Sequence, residues 1–304
     1  MRLVTRSDFD GLVCAMILKE ANLIDDIKFV HPKDVQDGKI ELSDNDITTN
    51  LPFDNRVHLC FDHHESEISR VPDADTSKWI IDGHARSAAR VVYNYYKDKY
   101  DLHRISDEIM AAVDKGDSAD FTQEEVLNPT GWVLMNFIMD SRTGLGRFHD
   151  FRISNYDLMM ELIDYCLEHS VNEVLELPDV KERVDMYFKH QENFKVQLSH
   201  TAHMDGRCLV IDWRNEETIY TGNRFLVYAL YPDCYFSIHL VRGFQGQNTP
   251  IMIGKSIFRS GVDKDIGEIC LKYGGGGHKN AGTCQVANEE ADKVLSEVLE
   301  YLNS

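Results

Sequence analysis

The sequence predicts two α/β domains joined by a helical stretch, and three observations lead there. Short apolar runs alternate with helical segments in the first part of the chain. A mainly helical pattern fills residues 106–200, and a second alternation of strands and helices follows from 207 onward. Alternation of this kind implies sheets, largely parallel in the first domain, with helices on their faces.

Arg2–Thr5 (RLVT) reads as the first strand and Leu12–Leu23 as the helix after it, with a carboxylate-rich turn between them. IKFVH (27–31) and VHLCFD (57–62) are apolar runs ending in polar residues, the pattern of strands buried on both faces. WII (79–81) is a further strand leading into a helix over Ala85–Tyr96. Pro129 and Pro178 mark helix starts, and Val180–His200 reads as one long polar helix. In the last third, 207–213, 234–242 and 251–259 read as strands, with helices at 223–231, 263–273 and 289–302. The expected division is therefore 1–180 for the first domain, 181–200 for a linker helix and 201–304 for a smaller second α/β domain. A chain of 304 residues exceeds what one core usually supports, which agrees with two domains.

Composition narrows the class. Hydrophobic residues at 43% and charged residues at 27% are those of an ordinary globular chain, and no apolar run is long enough to span a bilayer. No membrane partner is expected. The seven cysteines are scattered and contain no CxxC pair, which points to reduced thiols and a cytoplasmic location. A net charge of −19 excludes the broad basic surface that long duplex nucleic acid requires. It leaves room for a small anionic ligand drawn into a metal-loaded or locally positive pocket.

Open parallel sheets bind ligands at the carboxyl ends of their strands. The residues there are Thr5-Arg6-Ser7-Asp8-Phe9-Asp10-Gly11, then His31, Asn50 and Asp62-His63-His64-Glu65, while Asp114 and Asp117 follow a later helix. Aspartates and histidines without cysteine suit Mn²⁺ or Mg²⁺ better than structural zinc. Each piece has a plainer reading, since an Asp-x-Asp-Gly turn alone is as readily a helix cap. Four consecutive glycines before His278 carry a high entropy cost, which favours close backbone approach to a ligand. Arg86 and Ser87 at the start of a helix offer an anion seat or, equally, an ordinary cap.

With Asp62-His63-His64, the opening SDFDG, GGGGHKNAG (274–282) and Arg259-Ser260, the sequence resembles the DHH phosphoesterase family along essentially its whole length. The branch it is most similar to is the exopolyphosphatase-related and oligonucleotide phosphodiesterase-like one. The resemblance implies a DHH domain followed by a DHH-associated substrate domain, with catalysis in the cleft between them. It implies metal ligation by Asp8, Asp10, His63 and Asp117, with Asn50 at the position of a further ligand. Asp117 fits the motif better than Asp114 because a small residue follows it. His64 would contact the scissile phosphate as general acid, with Asp62 and Arg6 beside it in the catalytic group. Arg259, Ser260, Gly275, Gly276, Gly277 and His278 would hold the substrate; Arg86 and Ser87 join them only on their place at a helix start.

Two positions depart from the family pattern. Arg6 stands where many members have a histidine, and Asn50 where they have the aspartate that bridges two metals; Asp46 and Asp54 are nearby alternatives. A divalent ion ~4 Å from a guanidinium would meet ~8 kcal/mol of repulsion at an effective dielectric of ~20. One tight Mn²⁺ or Mg²⁺ is the expectation, a second ion staying open, with Arg6 serving the phosphate instead. The alternative is that Arg6 turns into a structural ion pair and His31 completes a two-metal site. The substrate class expected is a small phosphodiester or phosphoanhydride: a short oligonucleotide, a nucleotide or polyphosphate. The competing reading is a nucleotide-sensing protein of low activity that retains the fold. A homodimer is compatible with either.

Overall fold

The computed structural model describes residues 1–64 and 76–304, so Glu65 lies outside the described residues. The chain forms two compact units, Met1–Phe121 with Pro129–Met186, and Thr122–Asn128 with Tyr187–Ser304.

The first unit is built on five parallel strands: β1 (Arg2–Thr5), β2 (Asp26–Phe29), β3 (Asp46–Thr49), β4 (Leu59–Asp62) and β5 (Trp79–Ile81). Their order is β2-β1-β3-β4-β5, with Leu3 opposite Ile27 on one side and Ile47 on the other. Chain direction across the sheet reverses between β1 and β3, the switch point where such sheets bind ligands.

Alternation along the strands separates two cores. Leu3, Ile47 and Phe61 face helices α1 (Phe9–Glu20), α3 (Ala88–Tyr96), α4 (Asp107–Asp117) and α7 (Asn155–Glu168). Val4 and Cys60 face the other way, where α2 (Pro32–Gln36) and the connecting segments around Leu42, Leu51 and Val57 cover the sheet. Among the described residues the helices are thus uneven: long ones on one face, a single short one among loops on the other. α1 is buried almost throughout, which is why its sequence shows no polar face. It also begins earlier than the apolar run starting at Leu12 indicates, because Asp8 caps it by accepting from the Gly11 amide. Asp10 therefore sits in the first turn of a helix and not in a free turn.

α5 (Gln123–Leu127) belongs to the second unit, although a boundary at residue 180 assigns it to the first. The reason is hydrogen bonding: Asn223 Nδ2 donates to the Val126 carbonyl, Gln191 Nε2 to that of Leu127, and Gln123 Nε2 to that of Ala229. α6 (Gly131–Met139) and α8 (Val171–Glu176) return to the first unit, and α9 (Pro178–Thr201) runs from one unit into the other as a single helix.

The second unit carries six strands, β6 (Ala202–Asp205), β7 (Cys208–Trp213), β8 (Phe236–Val241), β9 (Thr249–Lys255), β10 (Gly276–His278) and β11 (Ala281–Val286). They lie in the order β10-β11-β9-β8-β7-β6, with only β7 and β8 parallel to each other. Val210, Ile238, Ile253 and Cys284 pack on α11 (Ile266–Lys272) and α12 (Ala291–Asn303); α10 (Leu226–Leu230) is a short helix of the same unit. Among the described residues, no helix is long and apolar enough to cross a membrane.

Candidate active site

The strand ends of the first unit gather one cluster. Asp10 is 2% exposed, and its carboxylate is held on three sides. Oδ2 accepts from Asn50 Nδ2 at 2.8 Å and the Ala88 amide at 3.1 Å, while Oδ1 accepts from the Ala89 amide at 2.8 Å. Two of these donors are the first amides of α3, where the helix dipole favours negative charge. The seat expected to take a substrate anion at Arg86 and Ser87 thus serves the protein's own carboxylate. Ser87 is the buried cap of α3, bonded to the Arg90 amide and to Asp114. Arg86 reaches Ser118 and Asp120.

Asn50 follows β3 with φ 54°, a left-handed conformation that asparagine tolerates better than most residues. Its Oδ1 is buried and has no partner among the described residues. Gly11 allows α1 to start against the Arg6 carbonyl, which a Cβ would meet at 2.0 Å. Arg6 turns back onto this cluster, its Nε lying 3.1 Å from Asp8 Oδ2.

β4 ends in Asp62, almost fully buried, whose Oδ1 accepts from the backbone amides of His63 and His64. The same oxygen accepts from His64 Nδ1 at 2.8 Å, while the His64 side chain stays 41% exposed. His63 donates from Nδ1 to the Ala85 carbonyl at 3.2 Å, a bond that sets the tautomer and leaves Nε2 as the ligating atom. That nitrogen lies 2.9 Å from Asp117 Oδ2, at the last residue of α4. Asp10, His63 and Asp117 each offer one ligand atom within 4.8 Å of the others, as do Asp62, His63 and His64. Asp114 instead binds the Arg90 guanidinium.

Charge in this cluster is out of balance. Burial, with Asp117 and Asp8 adding repulsion, pushes Asp10 well above the usual carboxylate range. Burial raises Asp8 too, against the pull of Arg6. Burial opposes a charged His63, yet Asp117 outweighs it and carries the imidazole up to about 9. Crowded carboxylates, a histidine with a preset tautomer and an orphaned buried amide oxygen are what a hard or borderline divalent cation would satisfy.

A pH effect follows. A histidine raised from 6.5 to about 9 stabilises the metal-free fold fully below pH 6.5, and that stabilisation is lost as pH climbs through 9. Metal needs the neutral ring, so Mn²⁺ affinity should rise over the same interval with release of about one proton per ion. Calorimetry in buffers of different ionisation enthalpy counts that proton. A count of zero would remove His63 from the ligand set.

The remaining candidates lie elsewhere in the fold. His31 caps α2 through Nδ1, Asp46 is paired with Arg2, and Asp54 with Arg56. Arg259 and Ser260 follow β9 in the second unit, with Arg259 bonded to the Pro232 carbonyl and Asp233. The glycine run is not an open anion loop: it folds into β10, antiparallel to β11. A Cβ on Gly275 would meet the Thr283 carbonyl at 2.1 Å, and one on Gly277 the Ala281 carbonyl at 2.3 Å. Their close backbone approach is to their own hairpin. Gly276 is exposed with open space around it. Gly277→Val should therefore cost the second unit its stability, by a few kcal/mol. Gly276→Ala should leave thermal unfolding unchanged and affect only substrate affinity. Equal destabilisation by both would show that the hairpin register is wrong.

The sequence reading missed Arg142. It sits in a short 3₁₀ turn after α6, with its backbone amide and its Nε both donating to Asp140 Oδ1, the latter at 2.7 Å. Burial disfavours its charge, but Asp140, Asp8 and Asp117 together hold it firmly protonated. No local pattern around Ser141-Arg142-Thr143 marks it out.

A parallel-sheet unit with an acidic, histidine-bearing cluster at its switch point, followed by a second mixed-sheet unit, defines a phosphoesterase of the two-unit type. Among solved structures, the chain is similar to the pGpG-specific phosphodiesterase PggH from Vibrio cholerae. The two share 53% identity over 99% of this chain and 98% of that one, with a TM-score of 0.83. At that similarity the chain belongs to the DHH family of phosphoesterases, enzymes that hydrolyse phosphate esters. An exopolyphosphatase-related protein from Bacteroides fragilis (14% identity, TM-score 0.55, 98% and 91% covered) shares the fold. So does the Mn²⁺ complex of RecJ from Thermus thermophilus, at 13% identity and a TM-score of 0.55, covering 99% of this chain and 52% of that one. No family model and no curated protein matches the chain.

Proposed function

We propose that this enzyme is a one-ion phosphodiesterase of short 5′-phosphorylated dinucleotides, with pGpG as its preferred substrate. The observation that carries the reading is the 53% identity, along nearly the full chain, to a pGpG-specific phosphodiesterase. The net charge of −19 agrees with it, since a dinucleotide needs one local site and no extended basic surface.

Asp10, His63 and Asp117 hold the ion in this reading, with Asp8 and the Asn50 amide oxygen alongside. When bound, a divalent ion supplies a water of lowered pKa and neutralises phosphate oxygens. The chain's residues do the rest. His64, fixed by Asp62 through Nδ1, keeps Nε2 for the phosphate and protonates the departing oxygen. Arg6 offers a fixed positive charge beside Asp8, and so takes up the position of a second cation. Arg259, Ser260, Gly276 and His278 of the second unit bind the remainder of the dinucleotide. Seven buried free cysteines support a reducing compartment, the cytoplasm.

The test is turnover with Mn²⁺ of pGpG, pApA, unphosphorylated GpG, cyclic dinucleotides, pyrophosphate and polyphosphate. Preference for pGpG by tenfold or more in kcat/KM, about 1.4 kcal/mol, is expected. Faster hydrolysis of pyrophosphate or polyphosphate would overturn the reading.

A further inference from the structure

We propose that Arg6 and Arg142 together form a two-guanidinium seat for the scissile phosphate, each aimed by a carboxylate that holds its Nε. This rests on the phosphodiesterase reading and adds to it a residue, Arg142, and its positioning partner, Asp140.

The following observations place the pair. Arg6 Nε lies 3.1 Å from Asp8 Oδ2, and Arg142 Nε lies 2.7 Å from Asp140 Oδ1. Among the described residues, neither arginine has a hydrogen bond through its terminal nitrogens. Arg6 is 32% exposed and Arg142 50%, so both forks are open to a ligand. The last turn of α6 is packed onto the cluster, since a Cβ on Gly116, next to Asp117, would meet Asn136 Oδ1 at 2.5 Å. The Asn136 backbone carbonyl accepts from the Asp140 amide at the end of that helix, two residues before Arg142. Both arginines also lie in the field of the same two carboxylates, Asp8 and Asp117.

A guanidinium with Nε engaged and its terminal N–H groups open is pre-oriented for two oxygens of one anion. Two of them beside a three-ligand ion site put fixed positive groups where a second cation would otherwise face the phosphate. Phosphoryl transfer rewards such fixed donors around the phosphorus, because they need no reorganisation as charge develops. The proton and electron balance is unchanged from ordinary hydrolysis: water adds to phosphorus, the P–O bond to the leaving nucleoside breaks, and that oxygen takes the proton.

The experiment uses the full chain and two probes. In the first, inorganic phosphate is titrated into Mg²⁺-loaded protein by calorimetry, after the Mg²⁺ and Mn²⁺ stoichiometry is measured. Arg6→Ala and Arg142→Ala should each weaken phosphate by about tenfold or more, while the ion binds as one per chain with equal or tighter affinity. Arg142→Lys, which keeps the charge but not the fork, should fall between. In the second, turnover of pGpG by Arg142→Ala should recover in part on adding guanidinium ion, which a merely structural role would not produce. Circular dichroism checks that the variants are folded. Unchanged phosphate affinity in Arg142→Ala, or loss of the metal from it, would overturn the seat. A loss confined to 5′-phosphorylated dinucleotides and absent for GpG would also overturn it, because Arg142 would then read the terminal phosphate. If no dinucleotide is hydrolysed by the unmodified protein but both arginines still govern phosphate affinity, the substrate reading fails and the seat stands.

Discussion

Asp10→Asn is expected to abolish hydrolysis, by at least about 10³-fold, while leaving the metal-free protein as stable as before or slightly more so. The two effects have opposite signs for one reason. Asp10 is buried beside Asp117 and Asp8, and its raised pKa means that the charged carboxylate costs the fold stability at neutral pH. A neutral amide removes that cost. It loses about one hydrogen bond, because its single oxygen can keep Asn50 and the Ala88 amide while the NH₂, a donor, cannot accept from the Ala89 amide; that is ~1 kcal/mol. What it cannot do is hold the ion. Unmodified protein should gain ~2.7 kcal/mol from Mn²⁺ at a hundredfold excess over Kd, seen as a rise in Tm, and the variant should gain none. A variant that melts higher with Mn²⁺, as the parent does, would take Asp10 out of the ligand set.

His64→Ala should lower kcat by about 10²- to 10⁴-fold with the metal-induced rise in Tm intact. His64 is bonded to Asp62 and lies outside the Asp10–His63–Asp117 group, so its removal leaves the ion's donors in place. Asp62→Asn should cost less. Its amide oxygen can still accept from the His63 and His64 backbone and from Nδ1, but it lacks the negative charge that stabilises the protonated ring. Because Asp62 acts through His64, the double variant should be no slower than His64→Ala alone. Equal loss of metal in His64→Ala would mean that the two histidines of the motif have been assigned the wrong way round.

How much of this was legible in the sequence differs from element to element. Strand ends are readable because burial on both faces makes an apolar run stop where chemistry begins, as at VHLCFD before His63 and His64. The glycine run was legible as a place of close approach but not as to what approaches, since a hairpin partner and a ligand impose the same demand on Gly275 and Gly277. β10 was invisible for a related reason: a glycine-rich strand carries no alternating pattern.

By itself the sequence determined the two-unit α/β layout, the parallel sheet and the place of Asp8, Asp10, Asp62, His63 and His64 at or just after strand ends, all of which depend on local order along the chain. Tertiary structure alone decided the rest. It gave the α3 N-terminus to Asp10, drew α5 into the second unit, turned Arg6 onto Asp8 and placed Arg142 in the field of Asp8 and Asp117. Each of these is a contact between residues far apart or outside any repeating pattern. Hydrophobic periodicity records which side of an element is buried; it does not record which unpaired donor meets which buried charge, and that pairing is set by the cost of leaving either one alone.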